Sequence, residues 1–203
     1  MGFTCGGVRS NKRILAALAF FVQPLVVSLA LAGPLGGEGA GVNTGENAPN
    51  FNLDVLNPVK GGSTAIRLRD LVGPSVRSPA RLVVIDFFAM FCKPCKASFP
   101  DLQAIADKYK PKGVQVVSIL VEGDRTDRAR LMDEVRAFLA EKKITIPVLV
   151  DPNGLEDLIP RKYVGAPVSL PALFVVDAAG KVKEKVLGGG ADIDRIIARN
   201  LGP

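Results

Sequence analysis

Leu82-Val83-Val84-Ile85-Asp86-Phe87-Phe88-Ala89-Met90-Phe91-Cys92-Lys93-Pro94-Cys95-Lys96 is the stretch from which the fold is read. Its first seven residues form a nearly continuous run of apolar β-formers, the mark of a strand buried on both faces. Its second half leaves that strand and enters a helix. Pro94 suits a first helical turn, and the pattern predicts a helix to about Lys110 with Pro100 kinking it.

Cys92 and Cys95 therefore sit where a CxxC pair does redox work. The two-residue spacer lets the sulfurs meet across one helical turn. The helix N-terminus stabilises a thiolate on Cys92 through its unpaired N–H groups and dipole. Lys93 and Lys96 add positive charge, and Pro94 restricts the spacer. Zinc asks for four ligands, and no His or further Cys stands beside this pair to supply them. A structural disulfide closing so short a ring stabilises little. Attachment of c-type haem asks for His after the second Cys, where this chain has Lys96.

Outward from the pair, residues 114–121 read as a second buried strand, residues 126–142 as an amphipathic helix with Met132, Val135, Phe138 and Leu139 on one face, and residues 147–150 as a third strand. Asp151-Pro152-Asn153-Gly154 ends that strand, and residues 155–163 read as a short helix interrupted by Pro160. Residues 172–176 and 181–187 flank Ala178-Ala179-Gly180 as a hairpin, and residues 192–200 close the chain as a helix. Upstream, Phe51, Leu53 and Val55 alternate with polar residues, and Ala65-Ile66-Arg67-Leu68 returns as a partner strand after Asn57-Pro58 and Gly61-Gly62. Residues 73–80 read as a loop. The order predicts a three-layer α/β/α fold with a mixed central sheet and an N-terminal β-hairpin extension.

Among 203 residues, 48% are apolar and 23% charged, a globular composition with room for a real core. With no His, the chain can hold no Ser-His-Asp triad, HExxH zinc site, His-ligated haem or imidazole base. Arg9, Lys12 and Arg13 precede an apolar run over residues 14–32 that ends in Ala30-Leu31-Ala32, which reads as a signal peptide or an N-terminal membrane anchor. Residues 33–46, rich in Gly, read as a flexible linker, and the domain as residues 47–203. Without residues 1–32 the chain keeps 23 basic and 20 acidic side chains, too mild a balance for nucleic acid. Cys5 precedes the apolar run, and the mature chain has only Cys92 and Cys95, too few for a disulfide framework.

Several motifs together resemble the thioredoxin superfamily, in its exported TlpA/ResA-like branch of thiol-disulfide oxidoreductases. They are Ala48-Pro49-Asn50-Phe51, Asp86-Phe87-Phe88-Ala89, Cys92-Lys93-Pro94-Cys95, Pro100, Ile146-Pro147-Val148-Leu149-Val150-Asp151, and Leu170-Pro171 leading into Ala172-Leu173-Phe174-Val175-Val176-Asp177. The resemblance implies a thioredoxin fold, with Cys92 as the exposed attacking thiolate and Cys95 as the buried resolving one. It further implies Asp86 as a buried acid moving a proton to or from Cys95, and Pro171 as a cis-proline facing the pair. Leu170 would then offer its backbone to a partner's extended chain, beside Phe91, Lys93 and Pro94. Two residues depart from the branch: Phe91 stands where Trp is usual, and Ser98 where many members carry Glu.

From the resemblance, the activity implied is reduction or exchange of disulfides in cysteine-containing partner proteins, apocytochrome c among them, in the periplasm or another extracytoplasmic space. No diffusible cofactor is needed, and a membrane thiol-disulfide donor would re-reduce the pair. Two alternatives are set beside this. A peroxiredoxin needs Pro-x-x-x-Thr/Ser-x-x-Cys, but Ile85 and Ala89 precede Cys92 at those positions, and Phe88 and Cys92 precede Cys95. A copper chaperone would bind soft metal through the two thiolates, which the missing His weakens.

Overall fold

All seven residues of β3 (Leu82–Phe88) are buried, as its apolar run predicts. The computed structural model describes residues 1–2, 40–123, 127–151 and 158–202, and the fold lies within the unit Gly36–Pro203. The segment read as signal peptide or anchor, including Cys5, lies outside the described residues apart from Met1 and Gly2.

β3 is central because a strand apolar on both faces must be covered on both. On one side it pairs in parallel with β4 (Val114–Leu120), on the other antiparallel with β6 (Ala172–Asp177). Chain reversal between β3 and β4 is made by α2 (Lys93–Tyr109). The remaining strands are β1 (Asn52–Val55), β2 (Ala65–Arg67), β5 (Val148–Val150) and β7 (Val182–Leu187), giving the order β2-β1-β5-β4-β3-β6-β7. β6 and β7 form the expected hairpin, tied by the Asp177 carboxylate, which accepts from the N–H groups of Ala179 and Lys181. The N-terminal hairpin does more than append itself, since β1 pairs with β5 as well as with β2 and so lengthens the sheet.

Side chains alternate across a strand, so β3 addresses two helical layers. Phe88 meets Phe99 of α2 with ring centroids 4.8 Å apart, and Phe99 meets Phe138 of α3 (Arg128–Glu141) at 5.5 Å. α5 (Ile193–Leu201) joins this layer, where Tyr109 donates its hydroxyl to the Asp194 carbonyl. On the opposite face Phe87 packs against Tyr163 of α4 (Leu158–Val164) at 5.3 Å and against Phe174 at 5.8 Å. The mixed α/β/α architecture read from the sequence is the one observed.

Local differences have physical causes. Residues 68–71 form a single helical turn, α1 (Leu68–Leu71), that buries Leu68 instead of prolonging β2. α2 passes through Pro100, whose missing N–H removes one rung of the helical ladder. Part of the stretch read as linker lies against the domain. Val42 is buried and donates its N–H to the Tyr163 carbonyl at 3.1 Å, and Lys185 Nζ donates to the Val42 carbonyl at 3.1 Å. A Cβ on Gly41 would stand 2.4 Å from the Tyr163 oxygen. Glycine there serves close backbone approach, which composition does not distinguish from slack.

Candidate active site

The polypeptide leaves β3 in a tight turn, in which Cys92 donates its N–H to the Ala89 carbonyl at 3.0 Å and becomes the N-cap of α2. Cap residues normally offer a side-chain oxygen to the first free N–H groups. Here the Cys92 sulfur takes that role, accepting the Cys95 N–H at 3.2 Å. The same sulfur is joined to Cys95 Sγ in a disulfide, with Cα atoms 5.3 Å apart. Pro94 lies in the first turn, which contains no acidic side chain, while Lys93 and Lys96 contribute positive charge. Once the disulfide opens, these donors and charges favour the Cys92 thiolate over the thiol.

Cys92 is 7% exposed and Cys95 2%. The expected order of accessibility is present, but Cys92 does not stand free in solvent. It opens instead into a shallow groove of about 420 Å³ lined by Phe91, Cys92, Lys93, Pro94, Val168 and Leu170. Phe91 is 61% exposed on its rim. The structure thus gathers five of the sequence-derived residues at one surface. Val168 joins them, and the sequence offered no signal for it beyond its place two residues before Leu170.

The Leu170–Pro171 peptide is cis, as the resemblance implied, and so is Ala166–Pro167. Pro171 lies next to the groove without lining it, and its carbonyl accepts the Gly188 N–H at 2.8 Å. Ser98 turns its hydroxyl back to the Cys95 carbonyl at 2.9 Å, which fills a local acceptor.

Asp86 lies on the face of β3 that carries Phe88 and is covered by α2. It is 8% exposed, and its Oδ2 accepts the hydroxyl of Ser118 at 3.0 Å. Burial pushes its carboxyl up to about 7, against the opposing pull of the Ser118 hydrogen bond. Ser118 is the site-associated residue that sequence reading passed over. It is the paired position to Asp86 in the β3–β4 register, 32 residues away. Only the register makes the two neighbours. Among the described residues no three His, Cys, Asp or Glu side chains converge as metal ligands would.

The model of the AhpC/TSA family matches residues 44–185. The chain belongs to the AhpC/TSA family. This AhpC/TSA chain is 33% identical to the thiol-disulfide oxidoreductase ResA of Bacillus cereus over 144 residues, 71% of the chain and 69% of the relative. It is 27% identical to ResA of Oceanobacillus iheyensis over 189 residues, 93% of the chain and 87% of the relative. Among solved structures, one from Chlorobium tepidum, assigned as a thiol:disulfide interchange protein DsbE, matches with a TM-score of 0.61 and 28% identity, covering 80% of this chain and all of that one. The AhpC/TSA protein is accordingly a thiol-disulfide oxidoreductase of thioredoxin fold, and Cys92 and Cys95 are joined in it as a disulfide.

Proposed function

We propose that this oxidoreductase reduces disulfides in partner proteins outside the cytoplasm, apocytochrome c among them. The observation that carries this reading is the Cys92–Cys95 disulfide at the start of α2, with Cys92 opening into a groove lined by Phe91, Lys93, Pro94, Val168 and Leu170. In the reduced protein the Cys92 thiolate attacks one sulfur of a partner disulfide, forms a mixed disulfide and releases the partner's other sulfur as thiolate. Cys95 gives its proton to the Asp86 carboxylate and attacks Cys92 Sγ. The partner leaves fully reduced, and two electrons have passed from the Cys92–Cys95 pair. A carboxyl that titrates at about 7 is divided between its two forms near neutrality, which suits a proton acceptor that must later return the proton.

Phe91, Lys93, Pro94 and Leu170 form the surface against which the partner chain lies, with Pro171 supporting it. A membrane dithiol donor restores the thiols, and no diffusible cofactor takes part, since both electrons reside on sulfur. Residues 14–32, behind the basic Arg9, Lys12 and Arg13, direct export or tether the domain.

The first test is a titration of the domain in a thiol redox buffer, with free Cys92 and Cys95 counted by alkylation mass shift. A midpoint near or below about −230 mV supports a reductase, and one near about −120 mV makes the protein a disulfide donor and overturns the direction proposed. Cys95→Ser should in addition trap mixed disulfides through Cys92 that a reductant releases, whereas Cys92→Ser should trap none.

A further inference from the structure

We infer that Ser118 is a positioning residue of this oxidoreductase: by holding Oδ2 of Asp86 it sets the pH range over which Cys95 can resolve the mixed disulfide. This rests on the proton-accepting role proposed above for Asp86. Ser118 has no exposed surface and lies in β4 between Val117 and Ile119, both also buried. A hydroxyl at such a position is unfavourable unless it is hydrogen-bonded. Its bond runs sideways across the sheet to the carboxyl at the paired position, at 3.0 Å. Oδ2 is thereby occupied.

Among the described residues, Ser118 is the polar side chain that opposes the effect of burial on the carboxyl. β4 presents Ser118, and β6 presents Leu173 at the register position paired with Asp86. α2 covers this face with Cys95 and Phe99, while its Lys93 is exposed and its Lys96 half-buried. Among the described residues, the influences on Asp86 are burial, which favours the neutral acid, and the Ser118 hydroxyl, which favours the carboxylate. A hydroxyl that donates to the carboxylate can also accept from the acid, so the contact survives both protonation states. Without it, burial acts unopposed. The carboxylate form that accepts the Cys95 proton then becomes available only at higher pH.

The test combines a carboxyl-carbon NMR titration of Asp86 in the reduced domain with the pH profile of the resolving step. Ser118→Ala should raise the Asp86 midpoint by about one pH unit, the worth of one hydrogen bond to a charged group. The acid limb of the exchange profile should move up with it. Ser118→Thr should retain the wild-type values, while Ser118→Val, of nearly the same size without the hydroxyl, should repeat the alanine result. The threonine–valine pair keeps the test standing if the alanine variant folds poorly. An Asp86 midpoint unchanged in both hydroxyl-free variants overturns the inference. A shifted midpoint with an unshifted exchange profile overturns it as a statement about the reaction. If Asp86→Asn alone leaves the exchange profile unchanged, the failure belongs instead to the role proposed for Asp86.

Discussion

Asp86→Asn removes a charge that burial disfavours, and it should make the protein more stable at neutral and alkaline pH. The folded state holds the carboxyl proton up to about pH 7, whereas the unfolded chain releases it at the ordinary value of 3.8. Between those limits the native state binds more protons than the unfolded one, so stability falls as pH rises. A displacement of about three units at 1.36 kcal/mol per unit amounts to about 4 kcal/mol once the pH exceeds 7. Below about pH 4 both states carry the proton and the effect vanishes. Asparagine has nearly the shape of the neutral acid and can still bond Ser118 through its amide. Its advantage over aspartate should therefore grow from near zero at pH 4 to about 4 kcal/mol at pH 8. Urea unfolding of the oxidised proteins, followed by far-UV circular dichroism, reads this directly, since the chain has no Trp to report by fluorescence. Taking the variant minus wild-type difference cancels the titration of distant groups. A difference that stays constant from pH 4 to pH 8 would refute the assignment of a buried, proton-retaining carboxyl at Asp86.

Phe99→Ala should cost about 3–5 kcal/mol in urea unfolding, because Phe99 is buried between Phe88 and Phe138 and ties α2 and α3 to the sheet. A loss under about 1 kcal/mol would show that this aromatic stack does not hold the layer. Phe91→Ala should leave stability within about 0.5 kcal/mol of wild type, since the ring is 61% exposed. It should raise KM for an extended disulfide-bearing peptide about tenfold, equivalent to about 1.4 kcal/mol of lost contact. An unchanged KM would remove Phe91 from the partner-binding surface.

Much of the fold was legible because its signals are local. The run from Leu82 to Phe88 is apolar at six of seven positions, and the strand is buried throughout. Pro94 announced a first helical turn, and α2 begins at Lys93 with Cys92 as its cap. Glycine was less informative. Gly41 belongs to a stretch whose composition reads as linker, yet it lets the backbone approach Tyr163, and a composition carries no information about what lies next to it. The pairing of β1 with β5 was likewise invisible, because alternation states that a strand has one covered face and leaves its neighbour unstated.

The candidate site divides along the same line. The identity of the sulfur pair, its place at a helix start, and the charge beside it are consequences of residues within one turn of each other. Spacing and elimination were enough for them. Ser118 beside Asp86, and Val168 in the groove with Cys92, bring together residues far apart in the chain, and Leu170 was legible there only through the family resemblance. They exist only when strand order and register have been set by packing across the whole sheet. The tertiary structure also decided the proton affinity of Asp86. A carboxylate's charge is a property of the residue, but its cost depends on how much water the surrounding elements exclude, and no single segment determines that.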